Sequence, residues 1–212
     1  MDAQPTRRTP EDTRRQIIDM AIEIAADQGA MGVTLDAVVA RLPFSKGALL
    51  HHFPNKLALL EGVIDHLASE MTAAVLAEAA RDPNPYGRNA RAYLRTIVYE
   101  PATERDFSIG RAVLAACAIE PSLTPRWRAA MGALAVDDPD DPAGKDDALM
   151  LRLIADGLWM SDLFGTHEVS PEQRKALLSL LTPGSLLTDA YGEGAERARR
   201  PGWPCLERSV SK

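Results

Sequence analysis

Residues 34–56, TLDAVVARLPFSKGALLHHFPNK, set the terms for the rest of the chain. They read as two short helices joined by a tight turn. Thr34 suits the N-cap of the first, whose apolar residues Leu35, Val38, Val39 and Leu42 recur at helical spacing. Pro43 stops that helix, having no amide proton to continue the hydrogen-bond ladder. Ser45 is placed to cap a second helix from Lys46 to Phe53, which Pro54 closes. Helices this short are marginal alone in water and must lie against a larger body. A pair of this kind is normally a helix-turn-helix, whose second helix enters the DNA major groove.

That second helix has two unlike faces. At roughly 100° per residue, Leu49 and Phe53 fall together and must point inward. Gly47 and His51 point nearly the opposite way, flanked by Ala48 and Leu50. Small residues beside one hydrogen-bonding ring suit a helix pressed against base edges. A small hairpin with a solvated face is the plainer alternative. A mid-helix glycine argues against it, because it costs about 1 kcal/mol relative to alanine and gains nothing in solvent. Ser45, Lys46 and Lys56 stand at helix starts, where free amide protons and positive charge suit phosphate oxygens.

Gly29 and Thr34 ahead of the hairpin, followed by SKGALLHHFPNK at 45–56, resemble the N-terminal domain of the TetR (tetracycline-repressor) family of bacterial transcriptional regulators. The likeness covers the first third of the chain. It implies an all-α fold: an N-terminal three-helix helix-turn-helix domain, then a C-terminal helical bundle for ligand binding and dimerisation. It also implies DNA contacts, mostly to phosphates, at Thr34, Ser45, Lys46, Gly47, His51, His52 and Lys56. Ala48, on the same face by spacing, completes the expected DNA-binding set. The chain departs from the family pattern at Leu50, where a tyrosine is usual and its hydroxyl commonly holds a phosphate. Leucine cannot make that contact, but it can touch a thymine methyl.

The net charge of −6 at first disfavours nucleic acid, until the chain is divided. Residues 1–56 hold seven basic and seven acidic side chains, and the remaining 17 basic and 23 acidic residues carry the whole imbalance. DNA affinity depends on local phosphate contacts rather than total charge. A neutral reading head on an acidic body is compatible with binding, with modest non-specific affinity and two heads needed for useful strength. Alanine and leucine dominate, and no stretch alternates valine, isoleucine and threonine as strands require. No apolar run approaches the length of a membrane span, and the polar N-terminus is not a signal peptide, so a cytoplasmic protein with no membrane partner is expected. Cys117 and Cys205 lie far apart with no CxxC, and the four histidines lack zinc-site spacing. Neither a disulfide, a metal nor a cofactor is expected.

In chain order, Arg7 and Arg8 lie in an expected disordered N-terminus, solvated or reaching a phosphate or minor groove. Thr9-Pro10-Glu11-Asp12 then opens a helix running to about Gln28, with Ile17, Ile18, Ala21, Ile22 and Ala25 inward and Gly29 as its C-cap. Arg14 and Arg15 on it are either phosphate contacts or solvated surface. This helix completes a DNA-binding domain over residues 9–54. Asn55 caps a long helix to about Ala80, which joins that domain to a second one over residues 55–183. Asp82-Pro83-Asn84-Pro85 breaks the chain. Helical patterns follow at 86–99, 103–119 and 123–136, then an acidic loop at 137–147. Residues 148–164 are apolar most of the way round a helix, which marks burial on more than one side. Ser170-Pro171-Glu172-Gln173 is a capping box for one more helix, and residues 184–212 read as a loosely ordered tail.

The last two helices either complete the monomer's core or pair with their copies across a two-fold axis, as the family resemblance implies. Leu153, Ile154, Leu158, Leu177, Leu178 and Leu181 are the expected interface residues of a homodimer. Phe107, Trp127, Met131, Met150 and Trp159 either line a cavity for a mainly apolar small molecule or are plain core. Arg111 and Asp162, in otherwise apolar stretches, can orient a ligand's polar end or pair with each other. The resemblance implies an effector without naming it. Its DNA would be a double-stranded, inverted-repeat operator from which the effector releases a repressor. The rival readings are a helical small-molecule-binding protein without an operator, and an enzyme. The second finds no support, because GxSxG, a glycine-rich phosphate loop and a histidine-based triad are all missing.

Overall fold

Thr9 starts the first helix with a reciprocal cap. Its hydroxyl accepts the Asp12 amide at 3.1 Å, and the Asp12 carboxylate accepts the Thr9 amide at 2.9 Å. The structure, a computed structural model, describes residues 9–99, 102–136 and 145–181. Its elements are α1 (Pro10–Gly32), α2 (Leu35–Val39), α3 (Lys46–His52), α4 (Lys56–Ala79), α5 (Arg88–Tyr99), α6 (Glu104–Ile119), a single 3-10 turn (Pro121–Leu123), α7 (Thr124–Val136), α8 (Lys145–Phe164) and α9 (Pro171–Leu181). All regular structure among the described residues is thus helical. None of these helices is long and apolar enough to cross a membrane.

The boundaries differ from the sequence reading where local geometry intervenes. Gly29 leaves the helix as expected, at φ 70 and ψ −178, a left-handed conformation that glycine adopts without strain. The chain then re-enters a last helical turn, so the true cap is Val33. α2 is shorter than expected. It tapers through amide bonds from Arg41 to Val38 and from Leu42 to Val39, reaching Pro43 already unwound. α5 starts two residues late because Gly87 sits at φ 64. α8 starts early, taking residues 145–147 from the expected acidic loop. The rest of that loop, Arg7 and Arg8, and the expected tail at 184–212 lie outside the described residues.

The chain divides into two compact units. Among the described residues, the first comprises 9–66 and Ser108–Trp127, and the second 67–107 and 128–181. α4 therefore contributes to both. In the first unit Ile17, Ile22, Ile24, Val38, Leu49, Phe53, Leu59 and Ile64 are buried. Each such side chain is worth roughly 1.5–3 kcal/mol before chain entropy is counted. Ile109, Ala112, Val113, Ala116 and Leu123, from α6 and the turn after it, are also buried. Arg126 of α7 bonds Asp65 at 2.7 Å and Glu61 at 3.5 Å, tying the start of α7 to α4 within this unit.

The second unit is built round α5, α8 and α9. Val75, Ala90, Tyr93, Leu94, Ile97, Leu151, Ala155, Leu158 and Leu178 form its core. A buried polar knot closes the 82–87 loop. Asp82 accepts Arg91 Nε at 2.8 Å, Arg95 Nη1 at 3.0 Å and the Asn84 amide at 3.0 Å. Burial pushes the Asp82 carboxyl up, but the Arg91 bond and charge, the Asn84 amide and the Arg95 charge outweigh it and hold the carboxyl below its ordinary value. Tyr93 donates to Asp156 at 2.7 Å, and burial beside that carboxylate pushes the phenol well up. Ser170 and Gln173 form the expected box, with the Ser170 amide reaching Gln173 Oε1 at 2.8 Å.

Candidate nucleic-acid interface

The local chemistry that shapes the hairpin is what its sequence indicates. Thr34 Oγ1 accepts the Ala37 amide at 3.1 Å to start α2. Ser45 Oγ accepts the Ala48 amide at 3.2 Å to start α3, and Asn55 Oδ1 accepts the Ala58 amide at 2.8 Å to start α4. Leu49 and Phe53 are almost fully buried, which fixes the inner face of α3. Phe53 has two close neighbours. The Arg14 guanidinium of α1 lies 4.7 Å from the ring centroid, in cation–π contact. Close by stands Gly62 of α4, where an added Cβ would come within 2.7 Å of Phe53 Cε1. Three helices thereby meet at one aromatic ring.

With its inner face fixed, α3 turns Gly47, Leu50 and His51 outward, all exposed, with Ala48 and His52 half-buried at the margins. A Cβ on Gly47 would meet only Ser45 Oγ, at 3.8 Å, so the backbone there is open to close approach. His51 and His52 touch edge to face, 5.5 Å between centroids. Lys46 Nζ bonds the Asp36 carboxylate of α2 at 2.6 Å, with both groups largely in solvent. Lys56 is half-buried, and its ammonium reaches the Ala30 carbonyl just past the Gly29 break, at 3.5 Å. Of the two arginines on α1, Arg14 is spent on Phe53 and Arg15 pairs with Asp19 at 2.9 Å. The sequence reading did not identify the supporting roles of Arg14 and Gly62, nor the Asp36 partner. The one signal it held was a glycine in the middle of a long apolar helix.

Residues 17–63 match the sequence model described as bacterial regulatory proteins, tetR family, and residues 87–183 match the tetracyclin repressor-like C-terminal domain. The chain belongs to the TetR family. The regulator BetI of Pseudomonas paraeruginosa is 38% identical over 96 residues, covering 45% of this chain and 44% of BetI. The regulator SrpR of Pseudomonas putida is 37% identical over 62 residues, covering 29% of each chain. The chain thus spans less than half the length of these two relatives. A crystal structure of a transcriptional regulator from Rhodococcus sp. Rha1 shares the fold at 21% identity and a TM-score of 0.61, over 80% of this chain and 93% of that one.

The remaining expected sites of this TetR-family chain are distributed as follows. Arg111 and Trp127 are half-buried in the first unit; Phe107, Met131 and Trp159 are half-buried in the second, and Met150 is exposed. Trp159 packs on the core of the second unit. Arg111 bonds its neighbour Ser108 at 3.0 Å. Asp162 pairs with Arg174 of α9, since α8 and α9 belong to one unit and bring those two together.

Of the expected interface residues, Leu158 and Leu178 are buried within their own chain, and Ile154 and Leu177 pack partly on the same core. Leu153 is 61% exposed, and the Leu181 side chain lies outside the described residues. The outer stripe of α8 instead consists of Leu149, Leu153, Met160 and Phe164, with Met150 alongside. Among the described residues, no group of three or more potential ligands gathers as a metal site. Cys117 is half-buried, and burial pushes its thiol up.

Proposed function

We propose that the chain is a homodimeric DNA-binding transcriptional repressor that a small, mainly apolar effector releases from an inverted-repeat operator. The observation that carries this is the outer face of α3: an open glycine, an apolar side chain and an imidazole, all exposed, on a helix whose other face is locked by Leu49 and Phe53. Thr34, Ser45 and Lys46 border that face and supply hydroxyl and ammonium groups suited to phosphates. Membership of a family of regulatory proteins supports the same reading.

The dimer surface in this proposal is the outer stripe of α8, centred on Leu153, Met160 and Phe164. Five large apolar side chains exposed on one helix are more than scattered surface leucines account for. Two heads meet successive major grooves when their spacing matches one DNA turn, roughly 34 Å, or a multiple. α4 contributes residues to both units, so a ligand bound to the second is linked to the reading head through a continuous helix. Such a ligand acts only through its differential affinity for two states, typically about 1–3 kcal/mol of reciprocal coupling.

Selection from random duplexes with the full chain should enrich an inverted repeat, and a gel shift with Gly47→Glu should lose it. The Gly47 position has room for a side chain in the free fold, so that loss reports on DNA contact rather than unfolding. Undiminished operator binding by a folded Gly47→Glu variant would refute the assignment of α3.

A further inference from the structure

Leu50 is 38% exposed on the same stripe of α3 as Gly47 and His51. Its neighbours Leu49 and Phe53 are 1% and 2% exposed, so α3 cannot roll to bury it without unpacking the first unit. Gly47, one turn earlier, presents open backbone, which lets this part of the helix approach a surface more closely than any side chain there would allow. A leucine has no donor or acceptor and reads nothing by hydrogen bonding. The major groove presents one apolar group to such a side chain, the C5-methyl of thymine.

We propose that Leu50 is a specificity-determining residue that docks against a thymine C5-methyl at one fixed position in each operator half-site. This rests on the proposed DNA-binding reading and extends it to the base recognised. Beside it, His51 supplies the hydrogen-bonding contact to an adjacent base edge. The pair therefore reads one apolar and one polar feature of the groove. The expected discrimination is modest, because it comes from burying one methyl: roughly fourfold per half-site, and roughly fifteenfold when both half-sites lose it.

The test uses the full chain and the inverted repeat selected with it. Each thymine is replaced symmetrically by deoxyuridine, which removes only the methyl, and affinities are measured for the native chain and for Leu50→Ala. One thymine per half-site should cost the native chain roughly fifteenfold and cost Leu50→Ala less than twofold. Leu50 is exposed, so the variant should fold, and a native circular dichroism spectrum with an unshifted urea-unfolding midpoint confirms it. A selected repeat with no thymine showing this difference overturns the proposal while leaving DNA binding intact. Failure to select any repeat overturns both.

Discussion

Replacing Gly62 by alanine should fail to stabilise the protein, although alanine is the better helix former. Within a helix that exchange is worth about 1 kcal/mol in alanine's favour. Against it stands the Phe53 ring, whose Cε1 and Cζ would lie 2.7 and 3.2 Å from the new Cβ, with Arg14 Nη1 at 3.5 Å. Non-bonded carbons rest at about 3.5–4.0 Å, so the ring must retreat by close to an ångström. Phe53 is 2% exposed, and retreat disturbs packed neighbours and the Arg14 contact. Overpacking of this kind costs about 1–3 kcal/mol, which leaves a net effect from neutral to about 2 kcal/mol destabilising. Gly132 of α7 is the reference, because a Cβ there meets nothing within 4 Å. Gly132→Ala should stabilise by about 0.5–1 kcal/mol. Urea unfolding followed by circular dichroism at fixed protein concentration measures both. Gly62→Ala should also weaken operator binding, since Phe53 anchors the end of α3, whereas Gly132→Ala should not. Equal stabilisation of the two variants refutes the claim that Gly62 exists to admit the Phe53 ring.

Further outcomes follow from other contacts. Asp36→Asn removes the carboxylate that holds Lys46, and operator affinity at low salt should rise roughly two- to fivefold in a filter-binding titration. Asp82→Ala takes the carboxylate from the buried Arg95, while Arg91 keeps the Tyr86 and Asn84 carbonyls, and should cost about 3–5 kcal/mol in chemical denaturation. Because the Asp82 carboxyl is held below its ordinary 3.8, its contribution is present above that value and lost as pH falls below it; the acid transition of Asp82→Asn should be correspondingly blunted. Leu153→Glu places charge on the outer stripe of α8 and should halve the mass seen by sedimentation without loss of helicity; a dimer that persists sinks the proposed interface.

Local chemistry was legible in the sequence, and long-range pairing was not. The caps at Thr9, Thr34, Ser45, Asn55 and Ser170 depend on residues within a few positions of each other, and each forms as its sequence indicates. The inner face of α3 was legible for the same reason, because Leu49 and Phe53 are one turn apart. On α8 the sequence fails to separate inside from outside. A helix apolar most of the way round has no periodicity to say that Leu158 packs inward and Leu153 outward. The Asp162–Arg174 pair depends on how α8 meets α9, and the placement of Ser108–Trp127 with the first unit depends on the chain returning over a long separation. Neither leaves a mark on spacing or composition.

The division into two units also distributes the chain's chromophores. Trp127 belongs to the first unit and Trp159 to the second, and the third tryptophan, Trp203, lies outside the described residues. With Trp203 replaced by phenylalanine, Trp127→Phe and Trp159→Phe variants each leave one emitter in one unit. Their emission against denaturant then reports whether the two units melt together or in sequence. Quenching of one emitter by a candidate effector identifies the unit it enters, with no label attached to the protein.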